Sequence, residues 1–118
     1  VMNGWIYAWL GLYDYVVATG DKGYYKDMMD QSLQALEKRM PLFTTGYWSK
    51  YDLSKRIASP FYHHMHIALM QAMYQLTGHN IFAEYAKCWQ RYEQRRLCKS
   101  RAFCVKAWQK IREQNGKL

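Results

Sequence analysis

The sequence predicts an all-α fold in which helical hairpins stack into a solenoid or close into an α/α toroid. Apolar residues recur at three- and four-residue steps along most of the chain, which is the period of an amphipathic helix. Two helix-turn-helix segments resemble each other, and their Thr-Gly turns begin at Thr19 and Thr77. A single helical hairpin cannot bury its faces, so such a repeat implies stacking or closure. The toroid is favoured, because tetratricopeptide repeats have a shorter period and no aromatic hairpin between units.

The first predicted hairpin has one helix over residues 3–18 and another over residues 22–40. Gly20 can adopt the left-handed conformation that ends a helix, and Asp21 can accept hydrogen bonds from the first amides of the next. Pro41 marks the end of the second helix, because proline disfavours helical geometry in the residue before it. The expected apolar faces are Ile6, Leu10, Tyr13 and Val17, and then Tyr25, Met28, Met29, Leu33, Leu36 and Met40.

The second half begins with a segment that lacks the helical rhythm. Residues 43–53, "FTTGYWSKYDL", combine a glycine with β-prone aromatic residues, which predicts a short β-hairpin. Helix returns over Pro60–Leu76, since proline is accepted in a first helical turn. A fourth helix is predicted from Ile81 past Lys110, with a break near Lys99. The core stripe of the third helix is Met65, Leu69, Met73 and Leu76.

Composition bounds the class of protein. Half of the 118 residues are apolar and 17% are aromatic, including 11 tyrosines, which excludes a disordered chain. Neither a bilayer-spanning apolar run nor a cleaved signal series is visible. The chain opens inside an apolar segment, so we expect a single domain, residues 1–118, truncated on its N-terminal side. Three cysteines without metal or disulfide spacing leave the localisation undefined: Cys88, Cys98 and Cys104.

The positive charge is concentrated at one end of the chain. Residues 1–86 carry seven cations and seven carboxylates, whereas residues 87–118 carry ten cations and two carboxylates. A basic helix of this kind favours polyanions, whether nucleic acid, acidic lipid or acidic polysaccharide, and does not choose among them.

Three segments, in order along the chain, resemble the C-terminal domain of D-glucuronyl C5-epimerases: "VMNGWIYAWLGLYD", "MPLFTTGYWSKYDL" and "FYHHMHIALMQ". The resemblance covers roughly residues 1–92 and leaves the basic tail, residues 96–118, uncovered. It implies an α/α-barrel domain of an isomerase that inverts C5 of a glucuronic acid unit within a heparosan-like glycosaminoglycan. Departures from the family pattern indicate a bacterial-type relative, in polysaccharide-modifying machinery.

The implied reaction explains the types of residue present. Inversion removes the C5 proton beside a carboxylate, which requires neutralisation of that carboxylate and an acid and a base on opposite faces of the ring. By resemblance, Tyr51 and Tyr62 match tyrosines held to take part in catalysis. We therefore expect their phenols to face each other across a cleft the width of one sugar ring. The proton leaves and returns, so no organic cofactor is expected.

Other candidate residues lie near these tyrosines. Ser54 stands where the family has an arginine, and Lys55 and Arg56 follow it as candidate partners of the substrate carboxylate. Phe61 replaces a family aspartate. Asp52 is expected to orient its neighbours rather than to act as an acid.

Four further residues are candidate substrate contacts. His63 and His66 stand three residues apart on one helical face, and His66 matches a family histidine. No third ligand lies nearby, so hydrogen bonds to substrate or backbone are favoured over a metal site. Asn3 and Tyr7 also match family positions, although Asn3 serves equally well as a helix N-cap.

Two alternatives to catalysis remain at this point. The chain could be a basic helical module that holds an acidic glycan without acting on it. It could instead bind nucleic acid through the cations and aromatic residues of its tail, although a charge run is usually a solvated face. The acidic polysaccharide is the preferred partner, nucleic acid is not expected, and a homodimer is left open.

Overall fold

The computed structural model of the chain describes residues 1–116, and within that range it contains five α-helices and no β-strand. The all-α prediction is therefore confirmed. The helices are α1 (Met2–Thr19), α2 (Tyr24–Arg39), α3 (Pro60–Thr77), α4 (Asn80–Gln94) and α5 (Arg96–Gln114). The chain forms two compact units, one over Val1–Pro41 and a second from Leu42 to the end of the described residues. Closure into a toroid stays a prediction.

The first unit is the predicted hairpin of α1 and α2. Gly20 has a φ of 66°, in the left-handed region, and its N–H donates to the carbonyl of Val16 at 2.9 Å. The Asp21 carboxylate accepts hydrogen bonds from the backbone amides of Tyr25 and Lys26 at 3.0 and 3.1 Å. Both predicted roles are confirmed, and together they fix the turn that brings the helices back on each other.

The buried face of α1 is rotated from the predicted one. Trp9 and Val16 are buried, whereas Val17 is 64% exposed. The Trp9 indole N–H donates to the carbonyl of Met29 at 3.0 Å, and the Trp5 indole N–H donates to the Ser32 hydroxyl at 2.9 Å. Each indole brings an apolar ring and a satisfied donor to the helix pair, and that combination sets the rotation. The buried apolar residues of α1 and α2 are Met2, Ile6, Trp9, Val16, Met29, Leu33 and Leu36.

The second unit contains the other hairpin, formed by α3 and α4. Its turn is built like the first one. Gly78 has a φ of 71°, and the Thr77 hydroxyl donates to the Met73 carbonyl at 2.7 Å while accepting from the His79 amide at 3.2 Å. Thr19 makes the same two bonds in the first unit. The repeat seen in the sequence therefore extends to the hydrogen bonding of the two turns.

The segment between the hairpins is not the β-hairpin predicted over residues 43–53. A 3-10 turn at Met40–Phe43 precedes two isolated antiparallel bridges, Thr44 with Ser49 and Lys50 with Ile57. The chain turns twice in quick succession, so no ladder forms within the described residues. We call residues 44–59 the site loop.

Helix α3 begins as predicted, and α5 begins earlier than predicted. Ser59 is the N-cap of α3 and accepts from the Tyr62 amide at 3.3 Å, with Pro60 in the first turn. The break between α4 and α5 falls at Arg95, which has extended backbone, rather than near Lys99. The core stripe predicted for α3 is right at Leu69 and Met73, but α3 also buries His63, His66, Ile67 and Met70.

Helix α5 packs against the site loop. Ala102 of α5 is buried together with three residues of the loop, Trp48, Ile57 and Ala58. Partly buried residues surround them, namely Tyr47, Tyr62, Tyr92 and Val105. The loop is therefore held within the second unit by α5 as well as by α3.

Candidate functional site

A buried polar cluster anchors the start of the site loop. The hydroxyl of Ser49 lies 2.8 Å from Nδ1 of His63 and 2.9 Å from Nδ1 of His66. All three residues have no exposed surface. The i, i+3 spacing of the histidines places both rings on one face of α3, and the single serine joins them.

The hydrogen bonds assign the tautomer of His63. Its Nδ1 accepts from the backbone N–H of Ser49 at 3.1 Å, so its proton is on Nε2, which donates to the carbonyl of Trp89 at 3.1 Å. Because Nδ1 of His63 carries no proton, the Ser49 hydroxyl donates to it and accepts from the Nδ1–H of His66. Nε2 of His66 is buried and has no hydrogen-bond partner among the described residues.

Burial keeps both imidazoles neutral. It lowers the pKa of His63 from 6.5 to about 4, against the opposing effect of the hydrogen bond to Trp89. Burial also lowers the pKa of His66 to about 4, and the charge that His63 would carry adds to the effect. Two cations cannot share this enclosed site, so the cluster acts as a structural anchor at neutral pH.

Two tryptophans enclose the cluster. The Trp48 ring stacks on His63 with centroids 3.7 Å apart and an interplanar angle of 13°. The Trp48 indole N–H donates to the Ala58 carbonyl at 3.0 Å, which ties the two ends of the site loop together. Trp89 of α4 is fully buried and donates to the Thr44 hydroxyl at 3.3 Å.

The tip of the site loop is held by Asp52. Its carboxylate accepts from the amide and hydroxyl of Ser54 and forms an ion pair with Arg56. Burial raises the pKa of Asp52, but the bonds from Ser54 and Arg56 outweigh it and leave the pKa below its usual value. The amide of Tyr51 donates to the Arg56 carbonyl at 3.0 Å and closes the turn. Asp52 thus orients its neighbours.

Tyr51 and Tyr62 are brought together, but not in the arrangement predicted. Their rings pack edge to face, with centroids 5.1 Å apart and an interplanar angle of 65°. The expectation of a gap the width of a sugar ring between them is therefore wrong for this structure, because direct ring packing replaces that gap. Both side chains are half-buried, and the guanidinium of Arg56 lies 5.7 Å from the Tyr51 ring centroid.

The predicted carboxylate partners differ in their contacts. Lys55 is exposed at the loop tip. Arg56 uses its Nε and one terminal nitrogen on Asp52, which leaves its other terminal nitrogen as a donor. A cavity of about 500 Å³ is lined by Ser54, Lys55, Arg56 and Glu113.

The other predicted contacts fall in less favourable positions. His63 and His66 are enclosed, so their contact with substrate stays a prediction that the burial does not favour. Asn3 and Tyr7 lie on α1, in the other compact unit; Tyr7 is 51% exposed and Asn3 is half-buried. The alternative N-cap role of Asn3 is wrong, because Val1 is the N-cap of α1.

Ser49 was missed by the sequence reasoning. It stands two residues before the Y-D-L motif, and nothing in its local pattern predicts that it would join two histidines from the next helix. Gln109 was missed as well: it is buried on α5 and hydrogen-bonds the site loop from more than fifty residues away. Such contacts depend on tertiary packing, which a single sequence does not display.

Several other features bear on function. Among the described residues, no group of three or more His, Cys, Asp or Glu side chains is placed to hold a metal. All three cysteines have free thiols, and Cys104 is exposed.

Nowhere in residues 1–116 is there a helix with the length and apolarity needed to cross a membrane. Two cations of the tail lie over aromatic rings, Arg101 over Tyr47 and Arg112 over Trp108.

Comparison with known proteins agrees with these observations. Residues 1–91 match the family model described as D-glucuronyl C5-epimerase C-terminus. The chain is also 30% identical over 91 residues to the uncharacterized protein MJ1128 of Methanocaldococcus jannaschii, an alignment that covers 75% of this chain and 29% of the relative. The chain thus spans less than a third of that relative's length, and no solved structure matches it. The match over most of its length shows that the chain belongs to the D-glucuronyl C5-epimerase C-terminal family.

Proposed function

We propose that this chain is the C-terminal part of a polysaccharide uronate C5-epimerase, which inverts C5 of D-glucuronate units to the L-iduronate form by removing and returning a proton. The family match carries the proposal. The substrate would be an acidic polysaccharide of the heparosan type, and the catalytic unit would include residues outside this chain.

Tyr51 and Tyr62 are proposed to transfer the protons. Two half-buried phenols in direct contact, with a guanidinium near one of them, form a group that can both donate and accept protons. The phenolate form removes a proton from carbon, and the phenol form returns one. Inversion needs an acid and a base on opposite faces of the sugar. Although the two rings are in contact, the hydroxyl of Tyr51 must therefore reach one face of the sugar and the hydroxyl of Tyr62 the other.

The substrate carboxylate is proposed to bind at the tip of the site loop. Its neutralisation lowers the energy of the negative charge that develops at C5. Lys55 is exposed there, and Arg56 retains a terminal nitrogen beyond those that bind Asp52. Lys55 is the stronger candidate, because its ammonium has no carboxylate partner in the described part of the chain.

The test is solvent exchange at C5. A full-length protein that contains this chain is incubated with heparosan in heavy water, and deuterium at C5 is measured by mass spectrometry. Tyr51→Phe and Tyr62→Phe should each lower the exchange rate by roughly 10²-fold or more while the fold is kept, because each removes a proton-transfer group. Tyr24→Phe, at a tyrosine that is 70% exposed on α2, is the matched control. Retained exchange in either site variant would contradict its assignment.

A second candidate function is acidic-glycan binding without turnover. The excess of ten cations over two carboxylates in residues 87–118 favours it. It predicts that affinity for heparosan falls steeply with added salt, that Tyr51→Phe leaves binding unchanged, and that no deuterium enters C5. Appearance of deuterium at C5 would reject it. Nucleic-acid binding is less well supported, because Arg112 already covers the exposed Trp108 ring that would stack on bases.

A further inference from the structure

Helix α5 lies outside the part of the chain that matches the epimerase family, yet it contacts the loop that carries Tyr51. The match ends at residue 91, and α5 begins at Arg96. Ala102 of α5 nevertheless shares a buried cluster with Trp48 and Ile57 of the site loop. This packing is accompanied by a set of hydrogen bonds from α5 to the loop backbone.

The side chain of Gln109 makes two of these bonds. Its Oε1 accepts from the amide of Ile57 at 3.2 Å, and its Nε2 donates to the carbonyl of Lys55 at 2.7 Å. Gln109 is only 6% exposed, so the oxygen and the nitrogen of its carboxamide both make their hydrogen bonds away from solvent. A residue in a parallel β-strand bonds its neighbouring strand in the same way: its C=O accepts from one residue and its N–H donates to the residue two positions earlier. The Gln109 carboxamide therefore pairs with the loop backbone on either side of Arg56 as a strand residue would.

A lysine of the same helix extends the contact. Nζ of Lys106 donates to the carbonyl of Ile57 at 2.9 Å. The opposite edge of the same stretch is bonded to the backbone of Tyr51, because the Arg56 carbonyl accepts from the Tyr51 amide at 3.0 Å. Residues 55–57 are thus bonded on one edge to α5 and on the other to Tyr51.

We propose that Gln109 is a positioning residue for Tyr51, acting through the backbone of residues 55–57, and that α5 is therefore an integral part of the active site. This inference rests on the proposed function for its catalytic consequence. The positioning of the loop backbone by Gln109 is inferred from the hydrogen-bond geometry alone. A polar side chain that only filled space could be replaced by an apolar one of equal size without any effect at Tyr51.

The first test measures the loop directly in the 118-residue chain. Gln109→Met keeps the side-chain volume and removes both hydrogen bonds, and Gln114→Met, at an exposed position of the same helix, is the matched control. Amide hydrogen exchange is followed by NMR. The amides of Ile57 and Tyr51 should exchange on the order of tenfold faster in Gln109→Met, beyond any change shared by the amides of α3, and remain unchanged in the control.

A second variant keeps the test decisive if Gln109→Met does not fold. Gln109→Glu retains the acceptor for the Ile57 amide but places a carboxylate oxygen against the Lys55 carbonyl. Its Tyr51 amide should also exchange faster than that of the unaltered chain. Unchanged exchange at Tyr51 in the variant that folds would overturn the proposal.

The catalytic consequence is tested in the full-length protein by deuterium entry at C5 of heparosan. Gln109→Met should lower kcat on the order of tenfold, because the Tyr51 phenol is displaced. KM should rise as well, since Lys55, the proposed contact of the substrate carboxylate, lies on the same stretch of loop. An unchanged kcat, or a loss confined to KM, would overturn the positioning role. If the unaltered protein shows no C5 exchange, the proposed function fails, and the amide exchange alone still decides whether Gln109 holds the loop.

Discussion

Acidification should destabilise the second compact unit through the cluster of Ser49, His63 and His66. Both histidines have a folded-state pKa of about 4, below the ordinary value of 6.5 that they regain on unfolding. Between these values the unfolded chain binds more protons than the folded one. The neutral imidazoles therefore contribute their full stability above pH 6.5, and this contribution is lost as the pH falls toward 4.

The size of the effect follows from the two pKa values. A histidine that titrates at 6.5 unfolded and at about 4 folded loses roughly 2 kcal/mol of stabilisation between pH 7 and pH 5. Two such histidines would lose about 4 kcal/mol, because at pH 5 both are largely protonated in the unfolded chain and largely neutral in the folded one. Since small domains have a total stability of about 5–15 kcal/mol, the loss is a large fraction of it.

Urea denaturation at pH 7, 6 and 5, followed by far-UV circular dichroism, gives the free energy of unfolding at each pH. Stopping at pH 5 keeps most carboxylates ionised, so the histidines dominate the change. The C–H signals of the His63 and His66 rings should titrate near pH 4 in the proton NMR spectrum. His66→Gln should remove about half of the pH dependence.

His64→Gln is the control for this experiment. His64 is exposed, and its replacement alters only a surface contact with the Glu93 carboxylate. It should leave the pH dependence almost unchanged. A free energy of unfolding that is constant within about 0.5 kcal/mol between pH 7 and pH 5 would refute the reasoning. Titration of His63 and His66 near 6.5 in the folded chain would refute it as well.

Three further predictions concern stability at neutral pH. Ser49→Ala should lower the free energy of unfolding by about 1–3 kcal/mol in urea denaturation, because it leaves the Nδ1–H of His66 buried without an acceptor. An equal loss from Ser100→Ala, at an exposed position, would contradict this. Gly78→Ala should cost about 1 kcal/mol, because φ at this residue is 71°. Gly11→Ala should instead stabilise the fold by about 0.5–1 kcal/mol, since Gly11 lies in mid-helix and a Cβ there would meet nothing within 4 Å. Similar changes in melting temperature for Gly78→Ala and Gly11→Ala would contradict the assignment of a left-handed turn to Gly78 and of ordinary helix to Gly11.

The parts of the fold that the sequence predicts well are those fixed by local rules. Gly20 and Asp21 end one helix and begin the next through bonds to residues a few positions away. Pro60 fits a first helical turn for the same local reason. The site loop escaped prediction because its conformation depends on the buried Trp48 and on α5, which are brought together only by folding.

The candidate site was located but not its geometry. The family resemblance drew attention to Tyr51 and Tyr62, and both lie in one place in the second unit. Their direct ring contact could not be foreseen, because the distance between a loop residue and a helix residue depends on how the loop is anchored. That anchor is Ser49, whose role depends on two rings from α3.

The end of the family match has a practical consequence for work on relatives of this chain. Residue 91 falls inside α4, so a fragment cut at that similarity boundary would end three residues before the helix does. It would also lack Ala102, which shares a buried cluster with Trp48 and Ile57, and would expose those two side chains to water. Burial of such side chains contributes about 1.5–3 kcal/mol each, so the shortened fragment should aggregate or unfold where the longer chain does not. The stretch recognisable by homology is smaller than the piece of polypeptide that must be expressed.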